Sequence, residues 1–188
     1  KKREQIINPL ESRKCNNTYG VGNVKEPWMV GVILPFDSSY TNTPYLDKIR
    51  FQTSSDIKGA LMNIRIYKMG VDGFPSDFLV NDNLLVEVLK GKKINEISLE
   101  AYDLVFPETG IAVVAEWFIL PRNKYEFTYT MVNEKGKKEG ISYEPSLCTR
   151  EVPSNDATLI FRGDEWSKSR EWPDKKYRAF KVELTLSN

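Results

Sequence analysis

The chain has 188 residues, 40% of them hydrophobic and 28% charged, which is typical of one globular domain. Lys and Arg number 27 and Asp and Glu 26, so the net charge of +1 provides no global field that favours nucleic acid or an anionic membrane. The sequence holds no histidine, which excludes a Ser-His-Asp triad, a Cys-His dyad and a histidine-based zinc site within this chain.

The N-terminal residues are polar and contain helix-breaking residues such as Pro9 and Gly20. We expect residues 1–26 to form an irregular arm and residues 27–188 to form a single β-sandwich domain. The chain begins with Lys1 and not with Met, so we also expect a mature form or a fragment of a longer protein. No apolar run reaches 18 residues, so no transmembrane helix is expected.

Beyond this arm the apolar segments are short, rich in β-branched and aromatic residues, and bounded by Gly, Pro, Asn or Asp. The predicted strands cover residues 28–34, 45–53, 61–69, 84–89, 94–99, 111–120, 125–131, 158–161 and 178–186. No window keeps a 3.6-residue period, so the pattern predicts an all-β fold, a two-sheet antiparallel sandwich.

Some of these segments carry more specific expectations. Residues 84–89 and 94–99 flank Gly91 and predict a hairpin. Residues 111–120 are nearly all apolar and predict a central strand covered on both faces. Residues 135–140 are charged, contain Gly and predict a loop. The last strand is expected to direct alternate residues inward, namely Phe180, Val182, Leu184 and Leu186.

Several short motifs in residues 45–186 resemble a known family. They are Lys48-Ile49-Arg50-Phe51, Asn63-Ile64-Arg65-Ile66-Tyr67, Asp72-Gly73-Phe74-Pro75 with Leu79, Ile97-Ser98-Leu99, Tyr102-Asp103-Leu104 with Pro107, Val114-Ala115-Glu116-Trp117, and Trp172 before the closing strand. Together they are similar to the C-terminal sandwich of secreted gut-bacterial envelope proteins of the carboxypeptidase-regulatory-like kind. The resemblance implies an exported domain with a jelly-roll-like, galactose-binding-like topology, and it carries over no catalytic residue.

Glu116 is a carboxylate inside the apolar segment 111–120. A carboxylate in this position must be solvated, paired or protonated. One hypothesis makes it a general acid or base, which would require a second carboxylate within reach. The alternative, which we favour, places it on the outer sheet face or pairs it with Arg65 or Arg50 on a neighbouring strand.

The segment 72–83 is rich in Asp and Asn, whose oxygens can bind calcium. Gly73 and Pro75 do not fit the spacing of an EF-hand loop, and Asp and Asn are also common turn formers. We therefore favour turns and predict no metal site. No P-loop, dinucleotide fingerprint or nucleophile elbow is present, so we expect no cofactor and no catalytic residue.

The segment 162–177 combines aromatic and basic residues and is expected to run over the surface as a loop. The candidate ligand-binding residues are Trp166, Arg170, Trp172 and Tyr177. Exposed aromatic rings can stack on sugar rings, and an arginine can hold hydroxyl or carboxylate groups. The alternative is that both tryptophans cover the end of the core; we favour this for Trp172 and partial exposure for Trp166.

Two cysteines, Cys15 and Cys148, lie far apart in the sequence. An exported domain permits a disulfide between them, and the alternative is two unpaired thiols.

These observations favour a non-enzymatic binding or adhesion module of an exported bacterial envelope protein, located in the periplasm or at the cell surface. The second hypothesis is a carbohydrate-binding module that uses loop aromatics, and the third is a carboxylate-based glycan hydrolase or lyase. The expected partner is a glycan or an envelope protein, and no nucleic acid.

Overall fold

The fold comes from a computed structural model that describes residues 3–10, 14–24, 26, 28–131 and 136–188. In chain order the strands are β1 (Glu4–Ile7), β2 (Thr18–Gly22), β3 (Met29–Leu34), β4 (Tyr45–Ser55), β5 (Ala60–Met69), β6 (Pro75–Phe78), β7 (Leu84–Val88), β8 (Gly91–Ser98), β9 (Ile111–Trp117), β10 (Lys124–Tyr129), β11 (Lys138–Val152), β12 (Thr158–Arg162), β13 (Glu165–Lys168), β14 (Tyr177–Phe180) and β15 (Val182–Ser187). Four 3-10 turns lie at Ser38–Asn42, Glu100–Tyr102, Pro121–Asn123 and Asn155–Ala157.

The strands form two antiparallel sheets that pack face to face, which confirms the predicted all-β sandwich. The eight-stranded sheet runs β1-β15-β4-β11-β10, with β8 paired to β4 and with β2 and β14 paired to β11. The seven-stranded sheet runs β13-β12-β3-β9-β5-β6, with β7 also paired to β5. No helix in the described part of the chain is long and apolar enough to cross a membrane.

The core lies between the sheets and is built from alternate residues of each strand. The predicted central strand β9 lies between β3 and β5, and both of its faces are buried. Ile111 and Val113 face the main core, whereas Ala112 and Val114 lie under a second, smaller cluster on the outer face of the sheet. This outer cluster includes Trp166, which therefore covers the back of the central strand.

The predicted 84–89 and 94–99 hairpin is wrong. Strand β7 pairs with β5 in the seven-stranded sheet, and β8 pairs with β4 in the eight-stranded sheet, so the chain crosses between sheets before Gly91. The physical reason is the number of backbone pairs that each arrangement allows. Strand β8 pairs with eight residues of β4, and β7 pairs with five residues of β5. A hairpin between β7 and β8 would be limited to the five residues of β7.

We expected residues 1–26 to form an irregular arm, but the described residues of this segment contribute two strands. Strand β1 pairs with β15, and β2 pairs with β11. Tyr19 and Val21 enter the main core from β2, and the intervening Gly20 allows close approach, since a Cβ there would lie 2.9 Å from Ser146 Oγ. Glycine at positions 20 and 22 hides the strand pattern in the sequence.

The cysteines form the disulfide Cys15–Cys148, the first of the two alternatives, with Cα atoms 5.2 Å apart. The bond ties the N-terminal segment to β11. This 15-residue strand was not predicted, and its residues 138–140 lie where we expected a loop. Residue 135 of that predicted loop lies outside the described residues.

The closing segment keeps its predicted inward residues, all of which are buried. It is divided at Lys181, however, into β14, which pairs with β11, and β15, which pairs with β4. The backbone N–H of Lys181 donates to the Cys148 carbonyl at the point where the chain changes partner.

Candidate functional site

A cleft of about 440 Å³ opens at the edge of the sandwich beside hairpin β12–β13. Three parts of the chain form it: the hairpin itself, the segment 169–173 that follows it, and two aromatic residues from the N-terminal part of the chain. The lining residues are Tyr19, Trp28, Ile160, Arg162, Ser167, Lys168, Ser169, Arg170, Glu171, Trp172 and Pro173.

The hairpin positions one wall of the cleft. Gly163 and Asp164 form its turn, with backbone φ angles of 61° and 68°. Strand alternation then directs Ile160, Arg162 and Ser167 to the cleft side, while Phe161 and Trp166, which are paired across the strands, face the outer cluster. The predicted loop around Trp166 is thus a strand, because Trp166 gains a cross-strand aromatic partner, Phe161, that a loop would not provide.

The opposite wall is the segment 169–173, which is held by backbone hydrogen bonds. The N–H of Ser169 donates to the Thr158 carbonyl at 3.0 Å, and the N–H of Trp172 donates to the Lys176 carbonyl at 2.9 Å. These bonds hold the partly buried Trp172 ring against the main core.

Aromatic rings form the floor of the cleft. Trp28 stacks on the buried Trp117 with ring centres 5.5 Å apart and planes 13° from parallel. Tyr19 stands edge-on to Trp172 at 5.3 Å and to Trp28 at 6.5 Å. Trp117 Nε1 donates to the Pro145 carbonyl, which fixes the ring behind Trp28. The rings of the floor are therefore held in place by contacts with one another and with Trp117.

The buried Arg178 guanidinium and the buried Tyr19 hydroxyl hold the rings of this floor in place. The Arg178 guanidinium lies 4.5 Å from the centre of the Trp172 ring and is hydrogen-bonded to Asp174. The Tyr19 hydroxyl donates to the Arg178 carbonyl at 2.7 Å. Burial raises the pKa of Tyr19, and the neighbouring Trp172, Ser169 and Arg178 side chains offset part of this rise.

The cleft contains polar groups that lack partners among the described residues. The Arg162 guanidinium lies 4.8 Å from the centre of the Trp28 ring and makes no hydrogen bond or ion pair there. Arg170 is exposed and is equally unpaired within the described ranges. The Ser169 hydroxyl lies near Tyr19 but meets no partner at hydrogen-bond geometry, although its residue is only 4% exposed.

Other lining residues are already engaged. Lys168 directs its ammonium to the carbonyls of Gly73 and Asp156, at 3.4 and 3.3 Å, and lies 5.6 Å from the Phe74 ring centre. Glu171 lies 4.0 Å from the Lys175 ammonium.

The structure brings together two of the four predicted site residues, Arg170 and Trp172. Trp166 does not line the cleft, because it packs on Tyr67 and Phe161 in the outer cluster. Tyr177 pairs with Val152 on the neighbouring strand; burial raises its pKa, and the nearby Glu171 carboxylate adds to the rise. Ligand binding by any of the four stays a prediction.

Sequence reasoning missed Tyr19, Trp28 and Arg162 as cleft residues. Arg162 lay within the segment that drew attention, but strand alternation was needed to place it on the cleft side. Tyr19 and Trp28 are more than 130 residues away along the chain, and no local pattern signals that they meet Trp172.

Glu116 lies on the outer face of the seven-stranded sheet and is paired as we favoured. Its Oε2 accepts hydrogen bonds from Arg65 Nε at 2.7 Å and from Asn63 Nδ2 at 2.8 Å. This pairing agrees with a structural role for the carboxylate.

The Asp- and Asn-rich segment 72–83 begins with a turn, in which the Asp72 carboxylate accepts from the Phe74 N–H at 3.0 Å. Within the described ranges no three His, Cys, Asp or Glu side chains come together in a way that could hold a metal ion. The turn interpretation thus accounts for Asp72.

A larger depression, of about 1060 Å³, lies along the edge hairpin β10–β11. Tyr125, Phe127 and Tyr129 line up on one face of β10, with successive ring centres 5.9 and 6.0 Å apart. Apart from Asn23, every residue that lines the depression belongs to this single hairpin. It is the flank of an edge hairpin rather than a cavity between elements, so we prefer the smaller cleft as the candidate site.

No protein-family model and no curated protein matches this chain. Among solved structures, the clostridial cysteine protease Cwp84 after propeptide cleavage is similar, with a TM-score of 0.58, 10% identity and coverage of 98% of this chain and 40% of that chain. A structure of the cysteine protease and lectin-like domains of Cwp84, a surface layer associated protein of Clostridium difficile, gives a TM-score of 0.52 at 10% identity, over 86% of this chain and 32% of that one. The chain spans less than half of either, and at this identity the likeness concerns the fold alone.

Proposed function

We propose that this chain is a non-enzymatic binding module of an exported bacterial envelope protein and that the cleft beside hairpin β12–β13 is its recognition site. The observation that carries the proposal is the combination, in one cleft, of a prearranged aromatic floor and two unpaired guanidinium groups. Ligand sites are typically concave and largely preformed, with few but specific polar groups, and span roughly 300–1,000 Å³.

The location outside the cytoplasm is supported by the disulfide Cys15–Cys148, since such bonds persist mainly in oxidising compartments. The resemblance to secreted envelope proteins of the carboxypeptidase-regulatory-like kind points the same way. So does the fold likeness to Cwp84, which is a surface layer associated protein.

Among possible ligands we favour a carbohydrate. Trp172 lines the cleft with a half-buried ring that can pack against the apolar face of a sugar, and Arg162 and Arg170 offer donors to the sugar oxygens. The similar Cwp84 structure includes a lectin-like domain. The cleft volume of about 440 Å³ suits one or two sugar rings.

A non-catalytic role is supported by the carboxylates of the cleft. Glycoside hydrolysis ordinarily uses two carboxyl groups that flank the scissile bond. Among the described residues that line the cleft, Glu171 alone carries a carboxylate, and it faces Lys175.

The proposal is tested by a glycan array probed with the wild-type chain, with Trp172→Ala and with Trp166→Ala. We expect binding to at least one glycan class that disappears in Trp172→Ala and persists in Trp166→Ala, because Trp172 alone of the two lines the cleft. Binding that is lost in Trp166→Ala and kept in Trp172→Ala would place recognition elsewhere.

A further inference from the structure

We infer that the cleft selects acidic carbohydrates, with Arg162 and Arg170 binding the carboxylate of a sugar whose ring packs on the aromatic floor. This inference rests on the proposed function and adds to it the chemical class of the ligand. Its basis is the placement of unpaired cations in the molecule.

Some cations elsewhere on the sandwich are paired with a carboxylate on the same or a neighbouring strand or turn. Residues in such ion pairs are Lys48, Arg50, Arg65, Arg122, Lys124, Lys176 and Arg178. No described carboxylate pairs with Arg162 or Arg170, and both side chains line the candidate cleft. Because both line the same cleft, the unpaired positive charge coincides with the aromatic floor.

Arg162 is restrained by Trp28 in a position that leaves its N–H donors free for an anion. Its guanidinium rests against the Trp28 ring at 4.8 Å, and Trp28 is fixed in turn by stacking on Trp117 at 5.5 Å. A cation–π contact of this kind restrains the side chain without using its N–H donors. A planar guanidinium with free donors matches a carboxylate in two parallel hydrogen bonds, so little side-chain entropy is lost when the anion arrives.

The carboxylate of the cleft does not cancel this preference. Glu171 lies 4.0 Å from the Lys175 ammonium and beside Tyr177, two groups that do not line the cleft. The whole chain carries a net charge of only +1, so the expected selectivity arises from local contacts and not from a global field.

A glycan fits these features better than an acidic peptide. Three aromatic side chains, Tyr19, Trp28 and Trp172, converge on a short cleft, which suits one or two rigid rings.

The test measures binding by isothermal titration calorimetry with two matched pairs of probes: trigalacturonate against its methyl ester, and sialyllactose against its methyl ester. Each pair keeps the sugar framework while the carboxylate charge is present or absent. We expect at least one acidic probe to bind about tenfold or more tightly than its neutral partner, because a hydrogen bond to a charged group is worth that much. The preference should fall as the salt concentration rises.

Arg162→Gln and Arg170→Gln should each weaken the acidic probe about tenfold and leave the neutral probe unchanged. Lys92→Gln is the matched control, because Lys92 is an exposed cation on β8, away from the cleft, and should change neither affinity. Equal affinity for acidic and neutral probes, or arginine variants that behave like wild type, would overturn the acidic preference while leaving the proposed function standing.

Two further outcomes distinguish a failure of the inferred ligand class from a failure of the proposed function. If neither acidic probe binds, or if an Asp- and Glu-rich peptide binds through the arginines while the sugars do not, the inferred ligand class is wrong. If a probe binds but Trp172→Ala binds it as wild type does, the cleft itself is the wrong site, and the proposed function fails along with the inference.

Discussion

Glu116 Oε2 and Arg65 Nε lie 2.7 Å apart across strands β9 and β5, on the outer face of the central strand. Both side chains are mostly buried, at 20% and 24% exposure, and the nearby Asn63 amide donates a second hydrogen bond to the same oxygen. A carboxylate that the sequence marks as a candidate acid is thus committed to holding two strands together.

We expect Glu116→Gln to lower the free energy of unfolding by about 1–2 kcal/mol, because it replaces a charge-assisted hydrogen bond to Arg65 by a neutral one. Urea denaturation measures this loss. Glu87→Gln is the control, since its partner Arg122 is exposed and the change should stay within about 0.5 kcal/mol. Loss of ligand binding in Glu116→Gln with an unchanged unfolding midpoint would contradict the structural role.

Glu144 lies buried on β11, and its burial raises the pKa of its carboxyl above the ordinary value of 4.5. The Asp56 carboxylate adds to the rise, and hydrogen bonds from Ser142 and from backbone N–H groups offset part of it. The folded state thus holds a proton that the unfolded state has released, so this group's contribution to stability falls as pH rises from about 4.5 through the raised pKa.

Glu144→Gln removes this titration. We expect the variant to gain stability relative to wild type when the pH is raised from 4 to 7, as measured by urea denaturation at several pH values. Glu139→Gln, at an exposed position of the same strand, should show no such gain. If Glu144→Gln instead becomes less stable relative to wild type as the pH is raised to 7, the hydrogen bonds to the carboxylate outweigh its burial.

The disulfide Cys15–Cys148 closes a loop with a sequence separation of 133 residues. Cross-linking so long a loop lowers the entropy of the unfolded chain, so Cys15→Ser with Cys148→Ser should cost about 5 kcal/mol in the chain-entropy model. Adding reductant should lower the thermal unfolding midpoint of the wild type and leave that of the double variant unchanged. Two free thiols per chain, titrated under denaturing and non-reducing conditions, would contradict the bond.

Trp172 and Trp166 provide a matched pair of variants. Trp172 packs on Tyr19 and Arg178, and Trp166 packs on Tyr67 and Phe161, so replacement by Ala should destabilise the fold in both cases, by about 3 kcal/mol. Only Trp172→Ala should also abolish binding of the array glycan. If Trp166→Ala leaves the unfolding midpoint unchanged, its assignment to the outer cluster is wrong.

The sequence predicted the elements whose signals are local. Strand β9 was recognisable because its residues are apolar without interruption, and β15 because Val182, Leu184 and Leu186 alternate with other residues. Strand β11 was missed because it contains Gly140 and Pro145 and exchanges partners along its length, pairing in turn with β10, β4 and β14. Such a strand is stabilised by its neighbours rather than by its own propensity.

In the candidate site, too, the residues with a local sequence signal were predicted and those without one were missed. Trp172 and Arg170 were predicted because aromatic and basic residues occur together in one segment. Trp166 shares that segment, but the strand places it on the opposite face. Trp28 and Tyr19 enter the cleft through the long-range packing of β2 and the start of β3 against residues near the C-terminus, which a single sequence does not reveal.

The central claim, that the cleft beside hairpin β12–β13 is the recognition site, is tested most directly by the indole N–H signals in a proton–nitrogen correlation spectrum. The chain has four tryptophans, so each signal can be assigned with single Trp→Phe variants. On titration to saturation with whichever of trigalacturonate and sialyllactose binds, we predict that the signals of Trp28 and Trp172 move while that of Trp166 stays in place. Movement of Trp166 alone, or saturation with Trp28 and Trp172 unmoved, would contradict the claim.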